Sequence, residues 1–323
     1  MTRRLAIAAL TLWLATTFTF VLLRQMPGDI LHNWAMQIQA QQSIPYEEAR
    51  RVAVTLVNYD PDEPVLRQYG RYLSELARGD LGRSLTYRIP VVEILAAALP
   101  WTLFLTLVSL ALSFALGSLL GLMAAWKRRG WLDPILSLYA TVTQAVPDFL
   151  IGVLLLVGFG VVLRWFPLRG AYGLGVEPGW NLAFAADVIH HAMLPALAFA
   201  LPGLGGWALA MRASALSVLG EDYLAVARAK GLKPGRILSR YLGRNALLPL
   251  VAALPPALGS MLGGTMLVES IFGYPGVGYF LSQAIATRDY TLMQGLFLVF
   301  TAATVCGNLI AEAVSRRLDP RLR

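Results

Sequence analysis

Residues 192–211 and 246–268 contain no charged side chain, and neither does the longer run 94–126. A helix needs about 20 apolar residues to cross the hydrocarbon core of a bilayer. Inside that core each backbone N–H and C=O has to be bonded within the protein, which helices achieve segment by segment. These runs therefore set the class as an all-α integral membrane protein. Composition agrees, with 57% hydrophobic and only 14% charged residues, against about 25% charged in soluble domains. A length of 323 residues would otherwise allow two soluble domains. The net charge of +8 invites a nucleic-acid reading, but the distribution of the charges argues against it. No basic patch interleaved with aromatics occurs, and the positives sit in short loops beside apolar runs, so the expected surface is a lipid bilayer and not a nucleic acid.

Six spans are expected. The first is 5–23, behind Arg3-Arg4. A cleaved signal peptide is the competing reading, but its apolar stretch is too long and no small-x-small site precedes Arg24. Residues 1–24 are therefore read as an uncleaved signal anchor. Residues 25–98 form the sizeable polar segment, in which acids and arginines nearly cancel. Helices are expected at 46–58 and 64–78, parted by Asp60-Pro61-Asp62-Glu63-Pro64. Residues 99–323 make a five-helix core. Its first span ends on Lys127-Arg128-Arg129. The next, 134–163, carries Pro147-Asp148 near its middle, where a proline kink and a costly intramembrane carboxylate are expected to face protein or a cavity. A structural kink with a hydrogen-bonded acid is preferred there to a proton relay. His190-His191 point about 100° apart on a helix and make a poor chelate. With Cys306 alone in an apolar run, they are read as an interfacial pair, and no metal site is expected.

Between the fourth and fifth spans lies a basic island within 212–245. Glu221 and Asp222 suit a helix start and Lys230 its end, because of the helix dipole. Gly231 is placed to cap that helix, and Pro234 prevents simple continuation. Arg236, Arg240 and Arg244 recur every four residues and share a face of a second short helix. The reading is a helix-turn-helix that carries movement to a soluble partner. Tyr223, Ala227 and Lys230 are expected on its docking face, flanked by Ala225 and Arg228.

Glu221-Asp222-Tyr223, Ala227-Arg228-Ala229-Lys230-Gly231-Leu232, Arg244-Asn245-Ala246 and Leu248-Pro249 together resemble the signature loop of ATP-binding-cassette importer permeases, in the dipeptide/oligopeptide/nickel branch. Met26-Pro27-Gly28-Asp29, Gly79-Asp80-Leu81-Gly82, Ser84-Leu85, Glu269-Ser270-Ile271-Phe272-Gly273-Tyr274-Pro275-Gly276-Val277-Gly278 and Arg288-Asp289-Tyr290 are similar to the same family, as is the ending Asp319-Pro320-Arg321-Leu322-Arg323. One departure is plain: where the general importer signature begins Glu-Ala-Ala, this chain has Ala225-Val226-Ala227.

The resemblance implies a permease subunit that pairs with a homologous second permease, forming half of a path for di- or oligopeptides that opens by alternating access. It implies two cytoplasmic ATPase subunits that bind ATP and Mg and dock on a coupling helix at Glu221, Asp222, Tyr223, Ala225, Ala227, Arg228, Lys230 and Gly231. It further implies an extracytoplasmic substrate-binding protein that docks on residues 25–98. Pro147 and Asp148 are the candidates for the path or gate. Nickel, glutathione-like peptides and oligosaccharides are the alternative substrates in this class.

Sixteen of the 27 Lys and Arg residues, all three lysines among them, fall on the side of both termini. The excess of positive charge marks that side as cytoplasmic, and the resemblance implies a bacterial or archaeal plasma (inner) membrane. The lysines follow Trp126, Ala229 and Leu232, so no GxxxxGK[ST] phosphate loop is present. Neither HExxH nor GxSxG occurs, which disfavours an intramembrane protease. An ion-coupled carrier would call for inverted repeats around a midplane site, and no clear repeat is visible.

Overall fold

The computed structural model describes residues 2–25, 30–57, 63–127 and 130–318. In chain order its helices are α1 (Thr2–Gln25), α2 (Ile30–Gln42), α3 (Tyr46–Val57), α4 (Val65–Ala77), α5 (Val91–Trp126), α6 (Leu132–Ala145) and α7 (Asp148–Leu155). They continue as α8 (Leu182–Val218), α9 (Asp222–Ala229), α10 (Pro234–Arg236), α11 (Arg244–Gly264), α12 (Met266–Ile271), α13 (Val277–Thr287) and α14 (Tyr290–Leu318). Two stretches wind as π-helix: Leu156–Val162 after α7, and Ile237–Gly243 between α10 and α11. Arg128, Arg129, the Met26–Asp29 motif, Asn58 at the end of the first expected polar helix, residues 60–62 of the expected 60–64 turn and the 319–323 ending lie outside the described residues.

Five runs are long and apolar enough to cross a membrane: Ala6–Gln25, Val91–Trp126, Leu182–Val218, Pro234–Gly264 and Tyr290–Ile310. The sixth is a broken pair, Leu132–Ala145 with Asp148–Val162, bent by 99°. A kinked continuous helix was expected over 134–163, and the break has a local cause. Proline disfavours helical geometry in the residue before it, and Val146 is extended at φ −99°, ψ 123°. Pro147 is extended too, with ψ 139°. Two successive non-helical residues turn the chain instead of kinking it.

The island's second helix also differs from expectation. It does not stop near Asn245 but runs on through the π stretch into the fifth span, giving one helical run from Pro234 to Gly264. Pro249, Pro255 and Pro256 lie inside α11. Membrane helices tolerate such prolines because neighbouring groups and local π adjustments re-satisfy the freed backbone.

The chain forms two compact units, one of residues 1–100 with 280–305 and the other of residues 101–279 with 306–323. In the first, α2 and α3 meet through Ala35, Ile38, Ala49 and Ala53, where small side chains let the backbones approach. Helix α4 is fixed to α1 by aromatic and polar contacts. Phe20 stacks on Tyr72 at 5.5 Å and meets Tyr69 edge-on at 5.1 Å. Arg24 lies 3.8 Å over the Phe20 ring and donates through Nε to Gln68 Oε1 at 2.8 Å. Tyr69 and Thr17 share a hydrogen bond of 2.6 Å. Two motifs far apart in sequence meet at buried Asp289: it accepts from Ser84 Oγ (2.5 Å), from the Thr86 N–H (3.0 Å), and from the Leu292 N–H in the first turn of α14 (3.1 Å).

The second unit is organised around α8, which buries alanines and Gly205 against its neighbours. Gly117 and Gly121 of α5 sit directly against the α8 backbone. A Cβ at Gly121 would lie 2.1 Å from the Ala208 carbonyl oxygen, and one at Gly117 would lie 2.6 Å from that of Leu204. This is the close approach that small residues four apart permit between membrane helices. On α8's other side, Gly205 faces Ala140 of α6, and Arg212 forms an ion pair with Asp133 at the start of α6.

Candidate functional site: a capped helix between two spans

Helix α9 is eight residues long, too short to be stable alone in water, so its ends and its inner face must be held. Glu221 occupies the N-cap with extended geometry (ψ 140°), and Asp222 sits in the first turn, where a negative charge suits the dipole. The other end closes as a Schellman motif. The Gly231 N–H donates to the Arg228 carbonyl at 2.9 Å, and the Leu232 N–H to that of Ala227 at 3.3 Å. Gly231 has φ +71°, a region glycine enters without steric cost. The cap expected at Gly231 is therefore present.

The inner face is Leu224 and Ala227, exposed by only 0% and 3%. They lie in a cluster with Ala125 at the end of α5, Met211 and Ala215 at the end of α8, and Ile237, Leu242, Ala246 and Leu250. Burying a leucine fully is worth about 1.5–3 kcal/mol, so Leu224 is the main anchor. Tyr223 is tied down at one flank, where Asn245 Nδ2 donates to its hydroxyl at 2.9 Å and also to the Tyr241 carbonyl at 2.8 Å. Ser214 Oγ of α8 donates to the Ala246 carbonyl at 2.8 Å. The Arg244-Asn245-Ala246 motif thus holds the loop to the spans.

The expected docking face was centred on Tyr223, Ala227 and Lys230. Tyr223 and Lys230 are exposed, but Ala227 points inward, so the outward face is rotated from the expectation. At 100° per residue the positions opposite Leu224 and Ala227 are Asp222, Ala225, Val226 and Ala229, all exposed. Val226 is 52% exposed. Arg228 and Lys230 flank this face on opposite sides. Two contributors escaped sequence reasoning: Leu224, whose three-residue spacing from Ala227 was the available signal, and Val226. Arg236, Arg240 and Arg244 are exposed as expected. A cleft of about 530 Å³ opens beside α9, lined by Trp126, Leu219, Arg228, Leu232, Pro234 and Ile237.

Pro147 and Asp148 lie exposed at the 99° break. His190 and His191 have separate tasks. His190 Nε2 pairs with the Trp165 carbonyl at 3.0 Å, and His191 Nδ1 with the Asp187 carbonyl at 2.9 Å. Among the described residues no group of three His, Cys, Asp or Glu side chains could hold a metal ion.

Residues 117–323 match the family described as binding-protein-dependent transport system inner membrane component. The chain is 31% identical over 323 residues to the probable peptide ABC transporter permease protein y4tP of Sinorhizobium fredii (strain NBRC 101917 / NGR234), covering 99% of this chain and 98% of that protein. It is 32% identical over 308 residues to the oligopeptide transport system permease protein AppB of Bacillus subtilis (strain 168), covering 95% and 93%. In fold it is similar to a chain of the MetNI methionine ABC transporter in an inward-facing conformation, with a TM-score of 0.52 and 20% identity over 70% of this chain and 98% of that one. With the capped loop and all but the first part of the chain inside the family's match, this multi-pass membrane protein belongs to the binding-protein-dependent transport system inner membrane components, the permease subunits of ATP-binding-cassette importers.

Proposed function

We propose that the permease imports di- and oligopeptides. The observation that carries this reading is its similarity, along nearly the whole chain, to proteins named for peptide and oligopeptide transport. In this proposal a homologous second permease supplies the other half of the path. A substrate-binding protein delivers the peptide from outside, and two ATPase subunits engage α9 of each permease from the cytoplasm. ATP draws the ATPases together, α9 moves with them, and the spans alternate between inward and outward openings. The exposed, mostly small or apolar face of α9 supports the docking assignment, since helix-in-groove contacts need an apolar side turned to the partner. Pro147 and Asp148 are assigned to the path because an exposed break in a span frees backbone groups that only a cavity or protein can satisfy. The test is uptake of labelled di- to pentapeptides into proteoliposomes holding the full transporter and its binding protein. ATP-dependent peptide accumulation is expected. Accumulation of nickel or an oligosaccharide in its place would overturn the peptide assignment.

Orientation follows from the positive charges. Reporter fusions at Lys127 and Gly231 should read cytoplasmic, and those at Arg67 and Val277 external. A cytoplasmic Arg67 would contradict the six-span arrangement. Residues 25–98 are assigned to the binding protein. Deleting 46–58, which removes α3 and its buried Ala49 and Ala53, should leave assembly with the ATPases intact and abolish stimulation of ATP hydrolysis by the binding protein. Full stimulation in the deletion variant would remove that assignment.

A further inference from the structure

Glu269 follows the fifth span, in α12, and its side chain is 0% exposed. Isolated buried carboxylates are costly and persist where they are paired or fully hydrogen-bonded. This one accepts three hydrogen bonds, from two elements. Thr102 of α5 donates its hydroxyl to Oε1 at 2.8 Å, and the Gly278 and Tyr279 N–H groups of α13 donate to Oε2 at 2.7 and 3.1 Å. The Thr102 oxygen in turn accepts from the Val277 N–H at 2.8 Å. Burial pushes the carboxyl up to about 7, against the lowering effect of these hydrogen bonds. Two glycines of the 273–278 hairpin are closely fitted, Gly276 against the carboxylate and Gly278 against the backbone at the start of α12. A Cβ at Gly276 would stand 2.3 Å from Oε2, and one at Gly278 would stand 2.5 Å from the Met266 Cα.

The other end of α5 carries Ala125, which packs in the cluster with Leu224 and Ala227 of α9. Thr102 and Ala125 lie on one continuous helix, about 35 Å apart at 1.5 Å per residue. Gly117 and Gly121 seat the intervening stretch against α8 without a gap. A rigid element thus joins the coupling helix at one end to the hairpin at the other, and a carboxylate closes the far joint.

We propose that Glu269 is a positioning residue for transport: it clamps the 273–278 hairpin and the start of α13 to Thr102, so that displacement of α9 reaches the hairpin through α5. The proposal rests on the reading of the chain as an importer permease and adds to it the route by which movement crosses the second unit.

The test uses Glu269→Gln, Thr102→Val and Gly276→Ala in the assembled transporter, with two readouts. The first is amide hydrogen exchange over residues 276–280, which does not depend on transport. The second is the ratio of binding-protein-stimulated to basal ATP hydrolysis. Gln keeps one acceptor oxygen for α13 but presents an amide N–H₂ to Thr102, so the hydroxyl can only accept there and the charged acceptor is lost, which weakens the clamp with little change of volume. Each variant is expected to speed exchange about tenfold and to lower stimulation about tenfold, the size of one charge-assisted hydrogen bond, with basal hydrolysis retained. The double variant Glu269→Gln/Thr102→Val should be no worse than the stronger single, since both act on the Thr102–Glu269 contact. Unchanged exchange in Thr102→Val and Gly276→Ala would overturn the clamp. Faster exchange with full stimulation would overturn its role in transport. A failure of the importer reading itself would show in the unsubstituted protein, as hydrolysis that the binding protein does not stimulate.

Discussion

Arginine at Val226 or Ala229 is expected to abolish ATP-driven uptake while leaving membrane insertion and the loop's fold intact. Both side chains are exposed on the face opposite Leu224, so neither substitution disturbs the inner cluster. Burying an unpaired charge in an apolar groove costs about 3 kcal/mol or more, a loss of over a hundredfold in affinity. Copurification with the ATPase subunits measures it. The cap gives a second handle on the same helix. Nothing lies within 4 Å of a Cβ at Gly231, so Gly231→Val acts through φ +71° alone and should cost about 1–2 kcal/mol. Asparagine at Gly231, which tolerates that region, should retain most activity. Arg240→Ala should also do little. Ala227→Glu belongs to another category: that site is buried, so the loop itself should loosen and become protease-sensitive.

The second large effect is expected at Gly121. A methyl group there would meet backbone atoms of Ala208, at 2.1 Å from O and 2.9 Å from C. No side-chain rotation relieves that, so α5 and α8 would have to separate along their length. Overpacking a core costs about 1–3 kcal/mol when side chains can yield, and more is expected here, where they cannot. Gly121→Leu should fail to accumulate as a folded, monodisperse protein in detergent, and Gly121→Ala should lower its thermal midpoint. Gly206→Ala on α8 is the matched control. Nothing lies within 4 Å of that position, and alanine's better helix propensity, up to about 1 kcal/mol, should leave stability unchanged or slightly raised.

The features legible from the sequence were those set by local chemistry. Charge-free runs located the spans, and the Glu221, Lys230 and Gly231 signals located α9 within a residue. What could not be read depended on contacts. Alanine is at home on either face, so Ala227 was assigned outward; the packing of α5, α8 and α11 against α9 turns it inward. Pro147 announced an interruption, but its size reflects the extended geometry of Val146 as well. Arg236, Arg240 and Arg244 read as a separate short helix, whereas the helical run continues from Pro234 to Gly264 through Pro249, a proline that a membrane span accommodates. Ser84 and Asp289 were both noted, yet their pairing across 205 residues left no trace in either segment. The Glu269 motif was visible as a pattern, but its partner Thr102 lies 167 residues away within an apolar run.

In the proposed mechanism α9 is the element that meets the ATPase, and its side opposite Leu224 does so. The direct measurement is site-specific photo-cross-linking in the assembled transporter, with the probe placed in turn at Val226, Ala229 and Arg240. Capture of an ATPase subunit from Val226 and Ala229, strengthened or weakened by ATP, and little or none from Arg240, is the predicted result. Capture from Arg240 with none from Val226 or Ala229 would contradict it and move the docking surface to the helix that begins at Pro234.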